Sequence, residues 1–247
     1  MAYLLVLLVP SLAILFYYYN KDRHREPWAL VALVFLCGAF SVLGAVPLEQ
    51  WAQARLSEIT SRHSGVALLL ECLLIPGLIE ETVKLLVVVA VVFWRKEFSE
   101  PVDGLVYGTA AALGFAFAED WRFYVLEGAD WRRVFSAITH PWFSSFWASS
   151  LGWAKFRPAS RGVPLVLGGL TASAIVHGVY DFLILASDAD PAQAWLRHLL
   201  TPLLVILYFL MERRLDRARA ASQPELVLPA TAEGALMAPA GRDSPVD

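Results

Sequence analysis

Cysteine is nearly missing from this sequence. The two present, Cys37 and Cys72, each sit in an apolar run with no second cysteine or histidine at metal-ligand spacing, which excludes a disulfide framework and a zinc finger. Charge is scarce too: Asp, Glu, Lys and Arg make up 17% of the 247 residues, against about 25% in ordinary globular chains. A solvated, charged surface is therefore not what this chain builds. With a formal net charge of −3 and no basic stripe, the electrostatic footprint of a nucleic-acid binder is also absent. No HExxH helix, no serine nucleophile elbow and no solenoid repeat occurs.

What is there is apolar. Hydrophobic residues account for 57% of the chain and aromatics for 13%, and they gather in long runs. A bilayer core takes roughly 20 apolar residues as helix, and runs near 2–19, 28–46, 66–93, 102–125, 134–156, 163–186 and 198–211 approach or exceed that length. The fold class predicted is all-α, a polytopic membrane bundle of about seven spanning helices. The first run reads as a retained span rather than a cleaved signal peptide. Twelve Lys and Arg fall in the segments that an outside N-terminus places inside, against five in the outer loops, so the orientation expected is N-out and C-in. Trp28, Trp94, Trp121, Trp131 and Trp153 lie near span ends, where amphipathic rings settle at the interface. The segment 47–65 carries a mix of apolar and charged residues suited to a helix on the outer surface. From Asp216 onward periodicity is lost, which divides the chain into a transmembrane unit, 1–215, and a disordered cytoplasmic tail, 216–247. Gly104 and Gly108 form a GxxxG step for close helix packing.

Against this apolar background, several ionisable residues fall inside spans: Glu71, Glu80, Glu81 and Lys84 in the third, Glu119 and Asp120 in the fourth, His140 in the fifth, His177 and Asp181 in the sixth. Each costs about 2.5–3.5 kcal/mol at the bilayer centre even on a lenient scale, so they belong on a shared, hydrated interior rather than facing lipid. Glu80 with Lys84, and His177 with Asp181, are i,i+4 pairs on one helix face. Glu119, His140, His177 and Asp181 come out at overlapping depths in the outer half, with Glu80 and Glu81 nearest the middle. Pro76 and Pro141 fall inside spans, beside Glu80 and His140, and are expected to loosen the backbone there. Glu71, His24, His63 and His198 are assigned no role.

Adjacent carboxylates in a low-dielectric site do not both ionise cheaply. That leaves one of Glu80 and Glu81 as a general base on water and the other able to donate, while His177, oriented by Asp181, is placed to donate to an oxyanion. A water-activating hydrolase is the reading these groups favour. Glu119, His140, His177 and Asp181 also supply nitrogen and oxygen donors suited to a divalent metal such as zinc. Structural alternatives stand beside it: a bundle ion pair for Glu80–Lys84, a helix–helix hydrogen bond for His177–Asp181, a backbone cap for His140, an interfacial charge cluster for Glu119. At the level of the whole chain, a proton-coupled transporter or a catalytically silent scaffold would also bury such groups.

Glu80-Glu81-Thr82-Val83-Lys84 fits EExxK, Phe115 to Glu119 fits FxxxE, His140 stands alone in the next span, and His177 to Asp181 fits HxxxD. This ordered set resembles the PrsW family of intramembrane proteases, relatives of the CAAX-prenyl endopeptidases. The resemblance implies a multi-pass protease of the bacterial cytoplasmic (inner) membrane. Its partners would be the lipid bilayer and a membrane-anchored protein substrate, such as an anti-sigma factor or similar regulator, cut near the outer face. By the same resemblance Glu80 and Glu81 supply the base, Glu119 and His140 assist, His177 and Asp181 bind or polarise, and Lys84 and Phe115 support them. The chemistry implied is glutamic-type or metal-dependent. Where the family usually reads Glu-Asn, this chain has Glu119-Asp120, an added acid.

Overall fold

The computed structural model describes residues 2–59, 65–130, 133 and 135–222, and in these every regular element is helical, with no strand. The order is α1 (Ala2–Lys21), α2 (Trp28–Ile59), α3 (Gly65–Cys72), a π-helical stretch (Leu73–Glu80), α4 (Glu81–Val88), a second π-helical stretch (Val89–Phe93), α5 (Pro101–Glu127), α6 (Ser136–Ala154), α7 (Ala159–Ala189), a 3-10 helix (Pro191–Leu199) and α8 (Leu200–Ala221). Among the described residues five helices are long and apolar enough to cross a membrane: Ala2–Lys21, Trp28–Leu56, Pro101–Glu127, Ala159–Ala189 and Pro191–Ala221. Both cysteines are free.

Two boundaries differ from the sequence expectation. The surface helix expected over 47–65 is instead a continuation of α2, which runs through Pro47 to Ile59. Val42 and Ala45, buried against Phe115, tie this helix to the core just before the proline. Residues 60–64 of that expected segment, with His63, lie outside the described residues, as does Trp131. At the other end, α8 does not stop at residue 215. It continues to Ala221 because Leu215 and Ala218 remain buried in the main core cluster. The rest of the expected tail, 223–247, lies outside the described residues.

The axis of the bundle is α5, with 83% of its most apolar stretch buried and α1, α2, α4, α6 and α8 packed around it. Small residues make that possible. A methyl on Gly104 would sit 2.4 Å from the Ala148 carbonyl oxygen of α6, and one on Gly108 the same distance from the Ala148 methyl, so the GxxxG step does bring α5 and α6 together.

The stretch from Gly65 to Phe93 is one continuous helical run that changes from α to π, back to α and to π again. Pro76, which lacks an amide hydrogen, lies inside the first π-helical stretch, where wider turns accommodate the loss of an ordinary helical bond. This stretch packs against α7 at very short range. A Cβ on Gly77 would lie 2.4 Å from the Ala174 carbonyl oxygen, and one on Gly178 would lie 2.6 Å from that of Cys72. The two backbones therefore touch on either side of His177. By contrast, α6 runs unbroken through Pro141, which lies close to the start of the helix.

Candidate active site

The junction between the π-helical stretch and α4 delivers Glu80 and Glu81 side by side, both buried. One turn on, Lys84 is completely buried and reaches back to both: its Nζ donates to Glu80 Oε2 at 3.0 Å and to Glu81 Oε1 at 2.9 Å. Residues three and four apart on a helix share a face, so one ammonium can span two carboxylates pointing in different directions. The third direction of the ammonium is taken by His140 of α6, whose Nδ1 lies 2.8 Å away. The Phe115 ring lies 4.3 Å from Lys84 Nζ, a cation–π contact inside a desolvated site.

The two glutamates are held very unequally. Glu81 accepts from Lys84 and, at 3.1 Å, from His177 Nδ1 on Oε1, and from Ser144 Oγ at 2.7 Å and Trp147 Nε1 at 2.8 Å on Oε2. All four are close enough to be full hydrogen bonds. Among the described residues Glu80 accepts from Lys84 alone and otherwise faces His177 Nε2 at 3.9 Å.

The remaining predicted residues close the ring. His140 turns its Nε2 to Glu119 Oε2 at 3.4 Å, and His177 turns its Nε2 to Asp181 Oδ2 at 3.6 Å. The two imidazoles meet edge to face with centroids 5.1 Å apart, and Phe143 stacks on His177 at 4.7 Å. Every residue of the four motifs thus reaches one cluster. One detail departs from expectation: the close partner of His177 is Glu81, not Asp181, because the tight α7 contact brings the ring's Nδ1 onto the α4 carboxylate. Glu71 is elsewhere, accepting from Gln53 Nε2 at 2.5 Å. Asp120 is buried next to Arg133, with Oδ1 3.4 Å from the guanidinium, so the added acid has a structural counter-charge.

Sequence reasoning missed three participants. Ser144 and Trp147 lie four and seven residues beyond His140, the spacing of one helix face, and that spacing was the available signal. Glu49 of α2 interacts electrostatically with Glu119, Lys84 and His177. It fell in the segment read as a surface helix, so it carried no signal.

Depth is consistent across the set. Glu119 stands eight residues before the end of α5, His140 four residues into α6 and Asp181 eight residues before the end of α7, about 12, 6 and 12 Å from the same end of the bundle at 1.5 Å per residue.

Glu80, His140 and His177 each bring a donor atom within 4.8 Å of the other two. The donor chemistry fits a zinc-class ion. His177 fits in its neutral form: with Nδ1–H donated to Glu81, Nε2 is the nitrogen left to ligate beside Glu80 and Asp181, the carboxylate-oriented imidazole common at such sites. His140 fits in the tautomer that carries its proton on Nδ1, which requires Lys84 to stop donating there.

The sequence profile of PrsW family intramembrane metalloproteases matches residues 26–211. Protease PrsW of Oceanobacillus iheyensis is 30% identical over 214 residues, covering 85% of this chain and 93% of that protein. Protease PrsW of Geobacillus kaustophilus is 30% identical over 224 residues, 89% of this chain and 93% of that one. The Bacillus subtilis protein of the same name is 25% identical over 89% of this chain and 96% of its own length. No solved structure matches. A match across three quarters of the chain, enclosing the whole buried cluster, places this protein: it belongs to the PrsW family of intramembrane metalloproteases.

Proposed function

We propose that this membrane peptidase hydrolyses a peptide bond of a membrane-anchored protein, with Glu80 as the general base on the attacking water. The unequal holding of the two glutamates carries the reading. Glu81, with four donors, has no lone pair in a useful direction and acts as the fixed anion that orients Lys84 and His177. Glu80, with one donor, keeps an oxygen for a water. In the reaction Glu80 takes a proton as the water oxygen attacks the scissile carbonyl, and returns it to the leaving amine. Lys84 balances the paired carboxylates throughout. In the proton arrangement set by Lys84, His140 carries its hydrogen on Nε2 and donates it to the developing oxyanion. His140 and His177, with Glu119 and Asp181, are the residues that would hold a zinc-class ion. When bound, such an ion supplies Lewis acidity toward a carbonyl oxygen.

The chain is read here as crossing the bacterial cytoplasmic membrane seven times, N-terminus out. The helical run from Gly65 to Phe93 and α6 add to the five long apolar helices, and the helical unit ends with α8. The cluster then opens toward the outer face, and substrates of the anti-sigma-factor type are cut near or beyond their outer membrane boundary. A scaffold would have no need of four motifs converging on one cluster.

The test compares new protein N-termini in membranes of cells carrying the wild type or Glu80→Gln at matched abundance. Loss of outward-facing neo-termini from single-span proteins in the variant is the result expected. Identical profiles, or neo-termini on the cytoplasmic side, would overturn the proteolytic assignment or the orientation respectively.

A further inference from the structure

At the opposite end of α5 from the active site lies a second group of buried acids. Asp22 and Glu26 come from the turn between α1 and α2, and Asp103 from the first turn of α5; one carboxylate oxygen from each lies within 4.8 Å of the other two. All three residues are at least 96% buried. Asp103 and Glu119 are 16 residues apart on one helix, which separates the two clusters by about 24 Å.

These carboxylates are held in place by the protein, and the Glu26 and Asp103 side chains also hydrogen-bond one another. Asp22 Oδ1 accepts from the His24 backbone amide at 3.1 Å, Glu26 Oε2 from the Tyr107 hydroxyl at 2.6 Å, and Asp103 Oδ2 from the amides of Ser99 and Glu100 at 2.6 and 2.8 Å. Among the described residues Asp22 Oδ2 is buried with no hydrogen-bond partner, and so is Oε2 of the neighbouring Glu100, whose other oxygen meets His24. Among the described residues no Lys or Arg forms a salt bridge with any of the three; Lys21 goes to Glu212 instead. A preorganised set of buried oxygens with a stranded acceptor, and with His24, paired to Glu100, as the nearest basic side chain, is costly as it stands.

We infer that Asp22, Glu26 and Asp103 form a structural site for a hard divalent cation, separate from the peptidase centre, that clamps the α1–α2 turn to the start of α5. The three donors are all carboxylate oxygens, with no thiolate or imidazole among them, which selects the Mg2+ and Ca2+ class over zinc. The ion supplies counter-charge to the three carboxylates and gives Asp22 Oδ2 its partner.

The experiment uses the purified full chain in detergent, stripped with chelator, and follows thermal unfolding as MgCl2, CaCl2 or MnCl2 is added. A ligand that binds only the folded state raises Tm in proportion to its occupancy. The wild type is expected to gain about 5 °C with at least one of these salts. Asp22→Asn keeps the acceptor for the His24 amide but removes the charge, so it is expected to lose that gain and to start, without cation, no lower than the wild type. The gain is expected to persist in His177→Gln, which disables the first centre. No gain with any salt, an equal gain in Asp22→Asn, or a gain abolished by His177→Gln each overturns the inference while leaving the peptidase assignment untouched. Should Asp22→Asn not fold, equilibrium dialysis of Mn2+ against His177→Gln decides: a bound ion supports the site, and none overturns it.

Discussion

Lys84 Nζ lies 2.8 Å from His140 Nδ1, so a charged lysine and a metal-ligating His140 exclude one another. An ammonium donates to Nδ1, which leaves Nε2 protonated and pointed at Glu119. A ligating Nε2 leaves Nδ1 as the donor, and Lys84 must then accept. Metal loading at this centre is therefore coupled to loss of one proton from the Lys84–His140 pair. Calorimetric titration of Zn2+ into the chelator-stripped protein, run in two buffers of different ionisation enthalpy, should show about one proton released per ion. Zinc binding with no proton release would show that His140 stays out of the coordination sphere.

The two glutamates are expected to respond differently to the same conservative change. Glu80→Gln removes the base and leaves the four donors on Glu81 in place, so cleavage should fall by about 10²–10⁴-fold with Tm near that of the wild type. Glu81→Gln puts an amide where four donors converge and leaves Lys84 with Glu80 as its one remaining carboxylate, a loss of about 3–5 kcal/mol in stability together with activity. Parallel thermal melts and cleavage assays on the two variants separate the roles. Equal destabilisation by both would remove the argument for Glu80 as base.

The convergence of the site was legible in the sequence because its members are expensive. Glu80, Glu81, Lys84, His140 and His177 stand out from apolar spans, and only a common interior could hold them. What was not legible was how they divide the work. The preference of His177 for Glu81 over Asp181 depends on two glycine contacts between the π-helical stretch and α7, and nothing in the spacing of HxxxD reports a contact made by another helix. Ser144 and Trp147 read as an ordinary polar residue and an ordinary core aromatic. The continuation of α2 past Pro47 was hidden for a similar reason, since burial of Val42 and Ala45 against Phe115 outweighs a local helix-breaking signal.

Ser144 and Trp147 are positioning residues for Glu81, and the prediction for them is graded. Ser144→Ala removes one hydrogen bond to a buried carboxylate, worth about 1.5–3 kcal/mol, and loosens the anchor of Lys84 and His177. The turnover number should fall while KM for a transmembrane substrate stays close to the wild-type value, because neither side chain reaches the substrate. Ser144→Thr, which restores the hydroxyl, should recover most of the loss. A change confined to KM, or no recovery with threonine, would place Ser144 in substrate binding instead.

A close backbone approach beside His177 sets the last expectation. Gly178 follows His177 directly, and a methyl there would lie 2.6 Å from the Cys72 carbonyl oxygen and from the Leu73 Cα. Neither atom can swing away as the end of a flexible side chain would, so Gly178→Ala has to push α7 off the π-helical stretch. Overpacking of this kind costs about 1–3 kcal/mol, which a bundle of this size survives. The displacement falls on His177, whose Nδ1 sits 3.1 Å from Glu81, and a shift of about 1 Å in a catalytic group can cost about 10²-fold in rate. Gly168→Ala on the same helix, where a methyl meets nothing within 4 Å, is the control. A folded Gly178→Ala protein with wild-type turnover would show that the α7 contact does not set the imidazole's position.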